Sequence, residues 1–415
     1  MKKIPSIVIA FLLLTGAAVV MPGAISYANS AMTGQLSQAI SWTNCTVDNG
    51  NDVGRDSSIA VDSAGGLHIG YYDKGKKDVK YAFKPHGGNW TNETADTSGT
   101  QGYTAIAVDN AAGVHISYFG GMYGNLKYLY KKHGSTTWGK SLADAARSVG
   151  RYTSIAANST DVPHISYYDY KNLDLKHAYK SPGGAWLNET VDSGSDVGMY
   201  SSIAIDGQDG IHISYYDNTH QKLKHAYKTS GGTSWTNETV DASGNVGLYS
   251  SIKTDNSDGL HICYFDGTNW ALKHAYKKAG AAKWSNETVD SGGDVGRGAS
   301  LVIDVSEGLH VSYADLMNKR LKYAYKPAGS SFWSIETAEE NAGWVSAEIS
   351  MSIAVDGTGG VHISYFYNPT ADLRYVTGNN PAVPEMWLPV LPAAFMCAVI
   401  IALLCGRGRK KRNTA

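Results

Sequence analysis

The chain has 415 residues, room for two or three average domains or for one large repeat architecture. Only 18% of them are charged, while 46 are glycine and 27 tyrosine, a profile that suits short strands joined by tight turns and disfavours a helical protein. Setting aside Lys2, Lys3 and five cations near the C-terminus leaves 29 basic against 37 acidic residues, a net charge of −8, which argues against nucleic acid as a partner because its binding needs clustered cations.

Lys2 and Lys3 precede an apolar run from Ile7 to Val20, then small residues, with Ser26-Tyr27-Ala28 as the cleavage site. This three-part layout predicts a secretory signal peptide over residues 1–28.

From residue 29 to 379 one phrase recurs. A full copy reads Tyr200-Ser-Ser-Ile-Ala-Ile-Asp206, Gly210-Ile-His-Ile-Ser-Tyr-Tyr-Asp217, Leu223-Lys-His-Ala-Tyr-Lys228 and Gly231-Gly-Thr-Ser-Trp-Thr-Asn-Glu-Thr-Val-Asp241. Its histidine falls at His68, His115, His164, His212, His261, His310 and His362, at intervals of 47, 49, 48, 49, 49 and 52 residues. Each copy holds four short runs of alternating apolar and polar residues rich in β-branched and aromatic side chains. In the first copy these are strand a (58–62), strand b (Leu67–Asp73), strand c (Val79–Lys84) and strand d from Trp90. Seven such copies predict an all-β, seven-bladed β-propeller of four-stranded blades.

The seventh copy ends at Leu373-Arg-Tyr-Val376 without a Trp-led strand, whereas Trp42-Thr-Asn-Cys-Thr-Val-Asp48 precedes the first strand a and matches the strand-d phrase. The N-terminal segment is therefore expected to complete the last blade, which removes the open sheet edges.

Several positions within the phrase carry chemistry. One histidine per blade predicts a structural role, each ring hydrogen-bonded between blades; tyrosine follows three positions later in every copy. A basic residue opens strand c (Lys176, Lys224 and Lys273 among them) and an acid closes strand b (Asp169, Asp217, Asp266), flanking one turn. They predict an intrablade ion pair or turn cap, or else a polar ring that binds anionic or hydroxyl-rich ligands. After the glycine that ends three of the d-to-a loops stand Arg55, Arg151 and Arg297, where other copies have Gln101, Met199, Leu248 and Ile349; three arginines suit a carboxylate clamp. Paired aspartates in loops such as Asp192-Ser-Gly-Ser-Asp-Val-Gly198 are a weak calcium signal, lacking the spacing of an EF-hand loop, and the residues equally serve turns. No metal spacing is evident in the cysteines or histidines, so no cofactor is expected beyond that calcium signal. Sequons at Asn44, Asn92, Asn188, Asn237 and Asn286 follow the strand-d tryptophans and are acceptor positions for N-glycans.

After a linker at 380–386, residues 387–405 are nineteen without a charge, followed by Arg407, Arg409, Lys410, Lys411 and Arg412 in a tail at 406–415. This predicts one C-terminal transmembrane helix with the basic tail cytoplasmic and the repeats outside. Pro384-Glu385, the apolar run and the basic tail together resemble the C-terminal signals handled by exosortases and archaeosortases, and that resemblance implies a removable sorting signal.

In strand pattern the repeats resemble the sialidase-like and fucose-lectin-like propellers, although of the sialidase Asp-box, Ser-x-Asp-x-Gly-x-Thr-Trp, only the end survives in Gly231-Gly-Thr-Ser-Trp235. The resemblance implies a broad rigid face that takes glycans. The expected function is that of a cell-surface-anchored binding or adhesion module for glycans or envelope proteins; the alternatives are a structural glycosylated envelope protein and an extracellular glycoside hydrolase using the three arginines.

Overall fold

Strand b shows why the phrase is written as it is. In the first copy every residue from Leu67 to Asp73 is buried, because alternate side chains face opposite neighbours and both sides of the sheet are covered. The computed structural model describes residues 40–180, 184–343 and 349–379; the segments expected as signal peptide, linker, membrane helix and basic tail lie outside them. Among the described residues no helix is long and apolar enough to cross a membrane.

The described residues form seven four-stranded antiparallel sheets, a seven-bladed β-propeller. Blade 1 comprises strands a (Val53–Val61), b (Leu67–Asp73), c (Asp78–Lys84) and d (Thr91–Asp96). Blades 2 to 6 follow over Thr100–Asp144, Val149–Asp192, Val197–Asp241, Val246–Asp290 and Val295–Glu339. Blade 7 takes strands a to c from Met351–Val355, Gly360–Tyr367 and Asp372–Asn379, and strand d from Trp42–Asp48, which pairs antiparallel to strand c with Trp42 opposite Gly378 and Cys45 opposite Tyr375. The ring thus closes through the N-terminal strand.

Three layers of contact join each blade to the next. The first is a carboxylate at the end of strand d. Asp192 accepts a hydrogen bond from the hydroxyl of Tyr215 in the following blade (2.6 Å) and pairs with the ammonium of Lys224. Asp144 does the same with Tyr167 (2.7 Å) and Lys176 (3.2 Å), and Asp241 with Tyr264 (2.6 Å) and Lys273 (2.8 Å). At the seam, Asp48 of the N-terminal strand receives Tyr71 (2.7 Å) and Lys80 of blade 1, so closure uses the same device. The strand-c lysines therefore reach across to the preceding blade. The acids that close strand b cap their own turns instead: Asp169 accepts from Asn172 Nδ2 (2.7 Å) and Lys171 N (3.0 Å), and Asp266 from Asn269 Nδ2 (2.9 Å). Of the two expected roles the acids take the turn cap: pairing places Asp169 opposite Asp174 while Lys176 lies opposite Tyr167, and Lys273 reaches its own Asp266 only at 4.0 Å.

The second layer is a ring of hydroxyl pairs: Ser117 with Thr153 (2.9 Å), Ser166 with Ser201 (3.0 Å), Ser214 with Ser250 (2.9 Å) and Ser364 with Ser57 (3.2 Å). Where one member is lost the other is orphaned. Gly70 stands opposite Thr104, whose hydroxyl is buried without a partner, and Met351 leaves Ser312 likewise. Between blades 5 and 6 both members are replaced, by Cys263 and Ala299, and no polar group is stranded. The third layer is the strand-d tryptophan, which packs edge-on against an aromatic of the preceding blade. Trp284 meets His225 at 5.4 Å, and Trp42 meets Tyr323 at 5.1 Å. One glycine is required where strand a passes strand c of the previous blade: Gly198 has φ +107, and a Cβ there would lie 2.7 Å from Leu175 Cα.

Removing the acceptor from a carboxylate rivet costs two charge-assisted hydrogen bonds, so Asp192→Ala is expected to lower stability by roughly 3 kcal/mol. Asp48→Ala should lower it by a similar amount in urea titrations; an Asp48 variant as stable as wild type would mean that the ring is not closed at this seam. Gly70→Ser supplies Thr104 with its missing partner, and the added Cβ meets Thr104 Cγ2 at an ordinary 3.4 Å. It should be more stable than Gly70→Ala by about 0.5–1.5 kcal/mol, one net hydrogen bond.

Candidate functional site

The axis of the ring is where the copies differ most. In strand a of each blade before the last, the pairing with strand b slips between the residues equivalent to Arg55 and Ser58. These bulges turn one residue inward to the axis. The inward position is occupied by Asp56, Tyr103, Tyr152, Tyr200, Tyr249, Gly298 and, in blade 7, Ser350. Five of these side-chain-bearing residues are left-handed, with φ of 47, 54, 51, 52 and 54 for Asp56 and the four tyrosines. A left-handed non-glycine residue costs of order 1–3 kcal/mol, and such strain persists where the surroundings enforce it and clusters at functional sites.

The four tyrosines form a continuous wall across blades 2 to 5. Ring centroids are 4.9 Å apart for Tyr103–Tyr152, 4.6 Å for Tyr152–Tyr200 and 4.5 Å for Tyr200–Tyr249. Each also packs on an aromatic of its own strand b: Phe119, Tyr168, Tyr216 and Phe265. Facing the wall are the short side chains of blades 6, 7 and 1. Burial pushes the Asp56 carboxyl above the usual range, and the Tyr103 N–H (2.7 Å) and neighbouring Arg55 offset this only in part. Burial likewise raises the phenols of Tyr103, Tyr152 and Tyr200, so they stay protonated as donors. On the side of the d-to-a loops this ring floors a funnel of about 500 Å³, whose wall adds Arg55, Tyr72, Lys74 and Gln101. On the other side lies a cavity of about 230 Å³ lined by the hydroxyl layer, including Thr104, Thr153, Ser201 and Ser250.

The three arginines sit in blades 1, 3 and 6 and share no partner. Arg55 lies over Phe366 (4.4 Å) and pairs with Asp52 (2.6 Å). Arg297 lies over Phe265 (4.5 Å) and pairs with Asp294 (3.0 Å), while Arg151 lies over Tyr170 (4.0 Å). They do not form one clamp, and of the three only Arg55 lines the funnel. The register also places Gly102, not Gln101, at the Arg55 position, Gly102 opposing Phe119 as Arg55 opposes Tyr72. The loop aspartates serve protein donors: Asp196 accepts from Tyr168 (2.7 Å) and Asn218 (2.7 Å), and Asp52 and Asp294 hold their arginines. Asn44, Asn92, Asn188, Asn237 and Asn286 are exposed on the outer strands.

The repeated histidines lie away from the funnel. His68 bonds Tyr81 (2.7 Å) and Asp62 (3.0 Å) within its own blade, not between blades as expected, and the pattern recurs at His115, His310 and His362 with Tyr128, Tyr323 and Tyr375. In blades 3 to 5 a second histidine replaces the tyrosine: His164 meets His177, His212 meets His225 and His261 meets His274, at 3.0–3.1 Å. The second ring of each pair bonds a strand-d glutamate, as His225 does Glu238 (2.9 Å). A cavity of about 520 Å³ lies over one such cluster, between blades 5 and 6, but its Glu287 is already held by His274, Lys326 and Trp333. Sequence reasoning missed the tyrosine wall: the tyrosine is visible in the phrase at residue 200, but its inward aim depends on a bulge.

No protein-family model matches the chain, and no curated protein matches it in sequence. Solved structures do match in fold. A polysaccharide lyase, PL25 ulvan lyase bound to a -[GlcA(1-4)Rha3S]- unit, superposes with a TM-score of 0.61 at 12% identity, over 81% of this chain and 96% of that one. The polysaccharide lyase Uly1 gives 0.50 at 10% identity, over 82% and 99%. A mutant of AofleA from Arthrobotrys oligospora gives 0.50 at 12%, over 73% and 91%.

Burial lowers the imidazole pKa of His164 to about 3 and those of His225 and His261 to about 4, and lowers those of His177 and His274 as well, so these rings stay neutral in the fold while the unfolded chain takes up protons below about pH 6.5. Their contribution is complete above pH 6.5 and is lost as pH falls toward 4. The melting temperature should therefore drop between pH 6.5 and 4.5, and His177→Tyr, His225→Tyr and His274→Tyr together should flatten that limb. An unchanged slope in the triple variant would refute the assignment.

Proposed function

We propose that the chain is a glycan-binding propeller displayed outside the cell, and that its ligand enters the axial funnel. The observation that carries this reading is the tyrosine wall facing Asp56. Aromatic faces take the C–H faces of a sugar ring, and a carboxylate with adjacent hydroxyl and amide donors takes its hydroxyls, the mixture of apolar surface and few polar groups that small-ligand sites share. The break in sevenfold symmetry supports one axial site, since four blades supply aromatics and three supply room for the ligand. That two of the fold neighbours are polysaccharide lyases supports a saccharide as the ligand.

Most glycoside hydrolases use a pair of carboxyl groups flanking the scissile bond, with sialidases, which use a tyrosine nucleophile, among the exceptions. Among the described residues lining the funnel Asp56 is the single acid. The uncharged run at 387–405 and the basic residues after it remain our basis for proposing surface attachment, with Pro384-Glu385 marking the tail as a candidate for removal by a sorting enzyme.

Full-length protein titrated against an oligosaccharide panel should bind with quenching of tyrosine fluorescence. Tyr152→Ala and Tyr200→Ala should each weaken binding about tenfold, equivalent to about 1.4 kcal/mol. Binding that is absent, or unaffected by both variants, would overturn the funnel as the site.

A further inference from the structure

The three arginines are equivalent in sequence but not in charge environment. Arg55 and Arg297 each pair with the aspartate three residues earlier, Asp52 (2.6 Å) and Asp294 (3.0 Å). At Arg151 that position is Ser148. Arg151 forms no ion pair among the described residues, and its Nε is buried without a partner. Its guanidinium lies over Tyr170, 4.0 Å from the ring centroid. On the adjoining loop Arg147 is exposed and stacks over Tyr123 at 4.1 Å, again without an acid. Tyr123 and Tyr170 are themselves about half exposed, at 52% and 50%. They belong to the b–c turns of blades 2 and 3, on the same face as the funnel mouth, and those blades contribute Tyr103 and Tyr152 to the wall.

Two of the acids on these loops are engaged by the protein, and Asp174, opposite Asp169, is partly exposed. Asp144 is held by Tyr167 and Lys176, and Asp169 caps its turn. Lys171 adds a further exposed cation. One sector of an otherwise acidic molecule therefore carries two arginines held by aromatic faces, with their hydrogen-bonding edges unclaimed by protein carboxylates. Planar guanidinium forks bind carboxylate and sulfate oxygens in pairs, and stacking fixes the fork beforehand.

We infer that Arg147 and Arg151, with Tyr123 and Tyr170, form an acidic-group subsite, so that the ligand is an anionic saccharide whose carboxylate or sulfate rests on blades 2 and 3 while its chain reaches into the funnel. This inference rests on the funnel reading and narrows it to a ligand class. The anion supplies what Asp52 and Asp294 supply to the other two arginines.

The test compares full-length protein binding oligogalacturonides and the same oligomers with their carboxyls reduced to alcohols. The acidic oligomers should bind at least tenfold more tightly, and more weakly as salt rises. Arg151→Gln and Arg147→Gln should each remove most of that preference. The decisive variant is Ser148→Asp. Ser148 has φ 62 and Asp52 has φ 59, so an aspartate fits there and re-creates the pair seen at Arg55. It should abolish the acidic preference and leave the reduced oligomers bound as before. Equal binding of both oligomers, or an acidic preference that survives Ser148→Asp, overturns the subsite and leaves the funnel standing. If neither oligomer binds, the inference falls together with the funnel.

Discussion

The structure depends on a carboxylate at the end of each outer strand. It is nearly buried, and it takes a phenol and, at most interfaces, an ammonium from the next blade. Burial alone would raise the pKa of Asp192, but hydrogen bonds from Lys224 and Tyr215 outweigh it, and the carboxyl ends below its ordinary value. For Asp96, held by Lys140, Ser98 and Tyr118, it falls to about 2. A charge so placed ties adjacent blades together through the donors it accepts. Because Asp48 receives the same two donors, the chain's N-terminal strand is bound into the ring by the same chemistry as every other blade.

A ring held by repeated contacts at its periphery can vary at its centre. The residue at the bulge of strand a touches its counterparts in adjacent blades but belongs to none of the rivets. There the copies diverge into tyrosine, aspartate, glycine and serine, and there the backbone accepts left-handed conformations at non-glycine residues. The d-to-a loop leading into blade 3 differs too: Ser148 stands where the loops into blades 1, 4 and 6 carry Asp52, Asp196 and Asp294. Fold alone does not define activity, but departures from an internal symmetry mark where the ring was free to build something specific.

Much of the fold was legible in the sequence because it follows from periodicity. The spacing of His68 through His362 reports the blades, the Trp-led strand d reports their outer edges, and Trp42 without a preceding blade reports the closure. Partner choice was less legible. The lysine opening strand c and the aspartate closing strand b adjoin one turn in sequence, yet Lys176 crosses to Asp144 because its side chain projects toward the preceding sheet. The site was least legible. Tyr103, Tyr152, Tyr200 and Tyr249 stand beside strand-a positions whose alternation would aim them elsewhere, and only the slipped register turns them inward. The difference between Arg151 and its equivalents rests on Ser148, a single residue whose meaning appears once Asp52 and Asp294 are seen on their arginines.

The most direct measurement is a crystal structure of the chain with a bound acidic oligosaccharide. The account predicts a sugar ring stacked on the Tyr152–Tyr200 wall within reach of Asp56, and an acidic group against Arg151. Ligand density confined to the clefts between blades at the histidine clusters, with the axial funnel empty, would contradict it.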